Sequence, residues 1–550
     1  MARAASFLHP MVTSQPRAPW SIAAVRAGSL ALVAALFFLG LGNGSLWDNS
    51  EPTYGEVVKE MFVLHDWLSL HYNYAPWYIH PPLWMWTTGL ACIAFGLNEF
   101  ALRFPSALFG VAGAVATYLA GRRLYGEVAG VVSGLALATS LEYIVLARLA
   151  ILDTMLIFFM TLATLWGYFA LRDGDRRAFW IATVAAALGV MTKGPVAIVI
   201  PLLVLAAWLF FVPRARRAAL RASIRSLPWV AGVALFALLA GWWFALQTIL
   251  HGSAFLVEYV GRSTFSRYLT PFENQPGPVY YYVPILLLGL FPYVAFLPKA
   301  IKEAWRARTS DDIFLLCAAA VPFVFFSVAQ TKLPNYLGIL LPALSILVGD
   351  LVGHAIERND LRSLRGALIV LPLALVLLTI AIVLYVQAQR LGDVAQLAAP
   401  LSLLGWVVVP TTVVTVALTL LLRRAWIAPL GLTVMMAGVV GALVLAVLPG
   451  LEARKPMKAM AHHIQSLWRP GDKIAITGVH GGFSLLFYTD AGPIYFLRTE
   501  TEKANADALL RGPARVYALI VPYEYADLQE RHIRVRILER ESNMWLVTNR

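Results

Sequence analysis

Cysteine is nearly absent: Cys92 and Cys317 are the only two in 550 residues, and both lie in apolar stretches. That excludes a disulfide framework and a cysteine metal site. Charge is scarce as well. Asp, Glu, Lys and Arg make up 14% of the chain against 59% hydrophobic residues, and the mean hydropathy is +0.69. A soluble globular chain is about a quarter charged, so this composition excludes a water-soluble protein. Acidic residues number 31 against 44 basic ones, a net charge of +13. The excess does not indicate nucleic acid, because Lys and Arg cluster in short loops between apolar runs, as in cytoplasmic loops of membrane proteins. A nucleotide-phosphate loop is missing too: Gly478-Val479-His480-Gly481-Gly482 lacks the dinucleotide spacing.

What is present is a series of long apolar runs, from 27–45 to 425–449. They predict a polytopic α-helical membrane protein with about 13 transmembrane helices. Basic loops at 121–126, 172–178, 214–225, 299–308, 357–365 and 423–424 are assigned to the cytoplasm. The N-terminus is then cytoplasmic, with its first apolar run retained as a span. The run at 82–97 has both ends outside, which predicts a juxtamembrane or re-entrant helix. Residues 46–97 form an outer loop in which 57–67 is an amphipathic stripe suited to the outer leaflet, with Trp67, Trp77, Trp84 and Trp86 at headgroup depth. Residues 1–450 make the membrane domain. Beyond Pro449-Gly450 ordinary charge density returns, and 451–550 read as a small α/β domain on the outer side. Its helix is expected at 458–467 and its strands at 473–477, 493–496, 516–521, 535–538 and 544–548.

The outer segments hold most of the ionisable residues near the membrane. Asp48, Glu51, Tyr54 and Glu56 crowd into nine residues just after the first run. Carboxylates kept beside hydrocarbon mark a functional site by default. His65, His71 and His80 follow, then Arg148 and Asp153, Lys193, Glu258, Arg262 and Arg267, and finally Lys332 and Tyr336. Each cation can pair locally or snorkel, and for Asp153 an ion pair with Arg148 competes with a functional role. Gathered on one face, they favour a shared anionic ligand. Acid and cation at one membrane surface suit transfer from a lipid-linked phosphate: a carboxylate takes the proton of an acceptor, and Lys or Arg stabilises the departing phosphate. A membrane transporter or lipid flippase is the alternative, but it calls for ionisable groups through the bilayer and for internal repeats. Neither is evident.

The motifs in which these residues stand resemble those of bacterial GT-C glycosyltransferases of the aminoarabinose-transferase and protein-mannosyltransferase superfamily. The resemblance rests on Ser50-Glu51-Pro52-Thr53-Tyr54-Gly55-Glu56, Ile79-His80-Pro81-Pro82-Leu83, Arg148 with Asp153, Thr192-Lys193-Gly194-Pro195, Glu258-Tyr259-x-x-Arg262 and Lys332-Leu333-Pro334-Asn335-Tyr336, in that order. It implies a GT-C fold in the bacterial inner membrane. It implies inverting transfer of a sugar from a polyprenyl-phosphate donor to a lipid A, glycan or protein acceptor at the periplasmic face, among membrane lipids and without nucleic acid. Glu51 or Asp48 is then the base and Asp153 a second catalytic acid. Arg262, Lys332, Tyr336, His80 and Arg267 face the donor phosphate, while Tyr54, Glu56, Arg148 and Lys193 bind substrate. Ser50, Thr53 and His80 replace the family's first acid, its Arg and its Lys. No diffusible nucleotide is required, and the resemblance fixes no certain cofactor. Whether a divalent metal takes part is open, with His80 and either His65 or His71 as ligands if it does.

Overall fold

The computed structural model describes residues 22–47, 50–266, 277–388, 392–452, 455–477, 482–497, 500–541 and 544–550. Helices dominate up to residue 452. α1 (Ile22–Phe38) leads to α2 (Ser50–Val63), a short hairpin of β1 (His71–Tyr72) and β2 (Ala75–Pro76), and α3 (Leu83–Phe95). α4 (Glu99–Tyr125), α5 (Glu127–Ala138), α6 (Leu141–Arg148), α7 (Asp153–Asp173), α8 (Arg176–Lys193) and α9 (Val196–Phe211) follow. Among the described residues, seven helices are long and apolar enough to cross a membrane, or up to ten if each bent pair counts as one span. α5 and α6 form one such pair, bent by 61°. The 13 residues of α3 rise only about 20 Å, short of a ~30 Å hydrocarbon core.

α2 departs from the expectation of a helix lying on lipid. Glu51, Glu56, Val57, Val58, Lys59, Glu60 and Met61 are all buried in protein. Its apolar stripe packs with Leu102 of α4, Trp84 and Phe487, so the cover is protein rather than headgroups. Trp84 is likewise fully buried, against Tyr54, and does not stand at headgroup depth. The reason lies at the other end of the chain.

Residues 457–548 build a five-stranded sheet in the order β4 (Ile494–Leu497), β3 (Lys473–Thr477), β5 (Val516–Ile520), β7 (Met544–Thr548), β6 (Arg536–Glu541). β3 runs parallel to β4 and β5, and β7 runs antiparallel to both its neighbours. The short helix Ser484–Tyr488 of this unit sits on α2. The Lys59 ammonium donates to the carbonyls of Leu486 and, at 2.9 Å, Thr489, satisfying the end of that helix. Asn73 exchanges two hydrogen bonds with Ile494, at 2.9 and 2.8 Å, and the Tyr488 hydroxyl donates to Glu99 at 2.9 Å. A charge-assisted hydrogen bond of this kind is worth about 1.5–3 kcal/mol. Lys59→Met is therefore expected to expose 484–489 to amide exchange well before the membrane helices open, readable by hydrogen-exchange mass spectrometry.

Glu56 completes this contact, 2.7 Å from Lys59. Burial pushes its carboxyl up to about 8, against the pull of Lys59 and with Glu60 adding to the rise. A carboxyl raised on folding holds a proton that the unfolded chain has lost, so its contribution is present below the ordinary carboxyl range and fades as pH rises through about 8. The docked unit is accordingly expected to melt at lower temperature at about pH 9 than at about pH 6, as scanning calorimetry would register.

Candidate active site

Two cavities meet where α7 begins and α8 ends. Asp153 is the first residue of α7, and Lys193 is the last of α8, where Gly194 at φ +87° turns the chain into α9. Only a glycine adopts that backbone without strain. The Lys193 ammonium donates to Asp153 Oδ1 at 2.7 Å, and both side chains are about nine-tenths buried. It also lies 5.5 Å from the centre of the Tyr336 ring. Asp153, Lys193 and His80 line both cavities.

The first cavity, about 490 Å³, sets Ser50, Glu51, Tyr54, His80, Glu142, Asp153, Lys193 and Asn335 among apolar walls that include Leu146, Leu149, Ile151, Ile285 and Leu288. The second, about 480 Å³, is mainly apolar, walled by Leu156, Val196, Val199, Phe325, Phe326 and Ile339 with Tyr259 and Tyr336. Glu51 is fixed rather than free. Its Oε1 accepts from Arg103 Nε at 2.9 Å and the Ala150 amide at 2.7 Å, and its Oε2 from Arg103 Nη2 at 3.1 Å and the Trp47 amide at 2.8 Å. Arg103 in turn donates to the carbonyls of Leu41 and Ser45 at 3.1 Å, so the pair clamps the loop between α1 and α2 onto α4 and the α6–α7 turn. Glu142, in the first turn of α6, has both carboxylate oxygens buried without a hydrogen-bond partner among the described residues.

A cavity that carries most of the polar side chains beside a more apolar one, joined at an acid–cation pair, is a shape for an amphiphile with its head in one and its chain in the other. Residues 79–244 match the family model described as dolichyl-phosphate-mannose-protein mannosyltransferase. An uncharacterised protein of Aquifex aeolicus is 31% identical over 355 residues, 64% of this chain and 68% of that protein. An undecaprenyl phosphate-alpha-4-amino-4-deoxy-L-arabinose arabinosyl transferase of Edwardsiella ictaluri is 30% identical over 346 residues, 60% of each chain. The crystal structure of ArnT from Cupriavidus metallidurans bound to undecaprenyl phosphate superposes with a TM-score of 0.82, covering 96% of this chain and 99% of that one at 22% identity. The chain belongs to the ArnT-like GT-C family. Its match spans 60% of the length of the Edwardsiella relative.

In this ArnT-like chain the residues singled out in sequence divide into two groups. Glu51, Tyr54, His80, Asp153, Lys193 and Tyr336 come together around the two cavities, with the Tyr54 hydroxyl 3.3 Å from His80 Nε2. Asp153 pairs with Lys193, so the expected competing ion pair with Arg148 does not form. Arg148 instead donates to the carbonyls of Leu36, Phe37 and Leu39 at 2.8, 3.2 and 2.8 Å, capping the end of α1 away from substrate space. Glu56 lies in the contact with Ser484–Tyr488 and not on the cavity wall. Lys332 donates to the carbonyls of Phe326, Ser327 and Ala329 at 3.0, 2.6 and 2.6 Å, and Arg262 is exposed and pairs with Glu258 at 3.3 Å. Asp48 and Arg267 lie outside the described residues. No cluster of three His, Cys, Asp or Glu arranged to hold a metal occurs among the described residues, so His65, His71 and His80 form no such site there.

Arg103 and Glu142 were not singled out in sequence. The signal was available: each is an isolated charge at or within an apolar run, 103–121 and 127–146, and an ionisable residue at membrane depth is costly unless it is used.

Proposed function

We propose that this protein is an inverting glycosyltransferase that moves a sugar from a polyprenyl-phosphate donor to an acceptor drawn from lipid A, another glycan or a protein. The reading places the reaction at the periplasmic face of the bacterial inner membrane, with the N-terminus cytoplasmic and about 13 crossings. Residues 1–450 are then the catalytic membrane domain and 451–550 a periplasmic domain. The observation that carries the reading is the junction of the two cavities at Asp153, Lys193 and His80. The apolar cavity has the lining to hold a prenyl chain. At the junction Lys193, with His80 and Tyr336 beside it, supplies positive charge and donors where the phosphate departs. The polar cavity has room for the sugar and the incoming acceptor.

The chemistry follows from these positions. Bond breaking places negative charge on the leaving phosphate. A fixed ammonium in a site shielded from water stabilises it far more than water-screened charge would. Asp153 keeps that ammonium in place, and Glu51 with Arg103 holds the opposite wall rigid. A carboxylate on the polar side takes the acceptor proton as the new glycosidic bond forms.

Purified protein in lipid nanodiscs, supplied with radiolabelled polyprenyl-phosphate sugar and a membrane lipid extract, is expected to move label onto an acceptor and release polyprenyl phosphate. Movement of intact donor across the bilayer, without release of polyprenyl phosphate, would instead make the protein a transporter.

A further inference from the structure

We infer that Trp47 is the platform on which the donor's sugar ring lies, and that Lys455, from the C-terminal part of the chain, is the positioning residue that fixes it there. The inference rests on the glycosyltransferase reading above and deepens it by naming the wall that meets the sugar. Trp47 belongs to the loop between α1 and α2, which has no regular secondary structure over 45–47. Three consecutive amides of that loop are nevertheless each held by a side chain. Ser45 donates to Glu452 Oε2 at 2.9 Å, Leu46 to the Tyr488 hydroxyl at 2.8 Å, and Trp47 to Glu51 Oε2 at 2.8 Å. The Lys455 ammonium donates to the Ser45 carbonyl at 3.0 Å and stands 3.6 Å from the centre of the Trp47 ring. Glu452, Lys455 and Tyr488 thus grip the loop from one side, while Glu51 and Arg103 grip it from the other.

The orientation of the indole matters because of what it borders. Trp47 lines the first cavity beside Ser50, Glu51 and Tyr54, and it does not line the second. It stays 40% exposed although Lys455 covers one face of the ring. A sugar ring has an apolar C–H face and a rim of hydroxyls, and a rigid aromatic surface beside polar side chains matches both. The prenyl chain and the phosphate are served elsewhere, by the second cavity and by Lys193. An indole on an unrestrained loop would have to be ordered by the sugar itself; holding it beforehand removes that cost from binding. An ammonium over an indole face is strong enough to do so. Trp47 lies outside the junction where the phosphate departs, so it holds the sugar equally in the ground state and the transition state. Its loss should therefore show in KM rather than in kcat.

The test uses the full-length protein in nanodiscs with a polyprenyl-phosphate sugar donor, a membrane lipid extract as the source of acceptor, and sugar-free polyprenyl phosphate as a competing inhibitor. Trp47→Leu and Lys455→Met are each expected to raise donor KM about 5–10-fold with kcat held within about twofold. The Ki of polyprenyl phosphate should be unchanged in both, because the inhibitor has no sugar to lay on the ring. Lys455→Arg keeps a cation over the indole and is expected to recover most of the wild-type KM. The double variant Trp47→Leu with Lys455→Met should be little worse than Trp47→Leu alone. A general distortion of the site would raise Ki together with KM, and that result overturns the assignment. So does a fall in kcat at unchanged KM, a donor KM within about twofold of wild type in Trp47→Leu, or single effects that multiply in the double variant. Trp47→Leu leaves the backbone hydrogen bonds of 45–47 in place, so it reads the platform even where Lys455→Met loosens the C-terminal part. A wild type that transfers sugar to no acceptor overturns the glycosyltransferase reading and this inference with it.

Discussion

Lys193→Ala is expected to lower kcat/KM for sugar transfer by about 10²–10³, the loss typical when one preorganised charge at a developing anion is removed. The argument is positional. The ammonium sits at the end of α8, held by Asp153 at 2.7 Å, and it faces both the apolar and the polar cavity. No chain movement is needed to bring it to a phosphate lodged at their junction. Asp153→Asn removes the group that orients it and is expected to cost a similar factor. Because the two act as a unit, the double variant should be little worse than either single one, a clear failure of additivity. Full additivity would mean that Asp153 and Lys193 serve separate steps. Steady-state rates with a saturating acceptor, measured on all three variants, decide between these.

Much of the scaffold was legible in sequence because its signals are local. Strands at 473–477, 516–520 and 544–548 coincide with short apolar runs bounded by turn residues. The shortness of α3 followed from counting which loops carry positive charge. Partners are what a sequence does not carry. The stripe on α2 had the period of a helix with one apolar face, but that period is the same whether lipid or protein covers it, and here Phe487 does. A cation at membrane depth needs acceptors, which by sequence makes Lys332 a phosphate ligand and Arg148 a substrate ligand. The acceptors turned out to be the unsatisfied carbonyls at two helix ends. Arg103 and Glu142 were hidden by the apolar runs around them, since hydropathy averages out a single charge. Glu51, Asp153 and Lys193 were found because each marks a loop or a helix end.

The assignment of Glu51 to the scaffold has a sharp consequence. Breaking a buried ion pair by removing one partner costs about 3–5 kcal/mol, because the other charge stays in place unpaired. Glu51→Ala or Arg103→Ala should therefore each lower the melting temperature severely and reduce folded protein in the membrane, whatever happens to catalysis. The two losses are not equivalent to chemistry, and the double replacement separates them. Glu51→Leu with Arg103→Met removes both charges together and fills the space, a change that leaves no orphaned ion and is often close to neutral for stability. The backbone amides of Trp47 and Ala150 lose their acceptor, at about 1–3 kcal/mol each, so recovery should be partial. If Glu51 serves to hold the cavity wall, the double variant is expected to regain folded protein and retain measurable sugar transfer. If Glu51 were the base, the same protein would be folded and lack transfer by the factor of about 10²–10⁴ that a general base supplies. Thermal melting and transfer rate, read on the same preparation, distinguish a wall from a reagent.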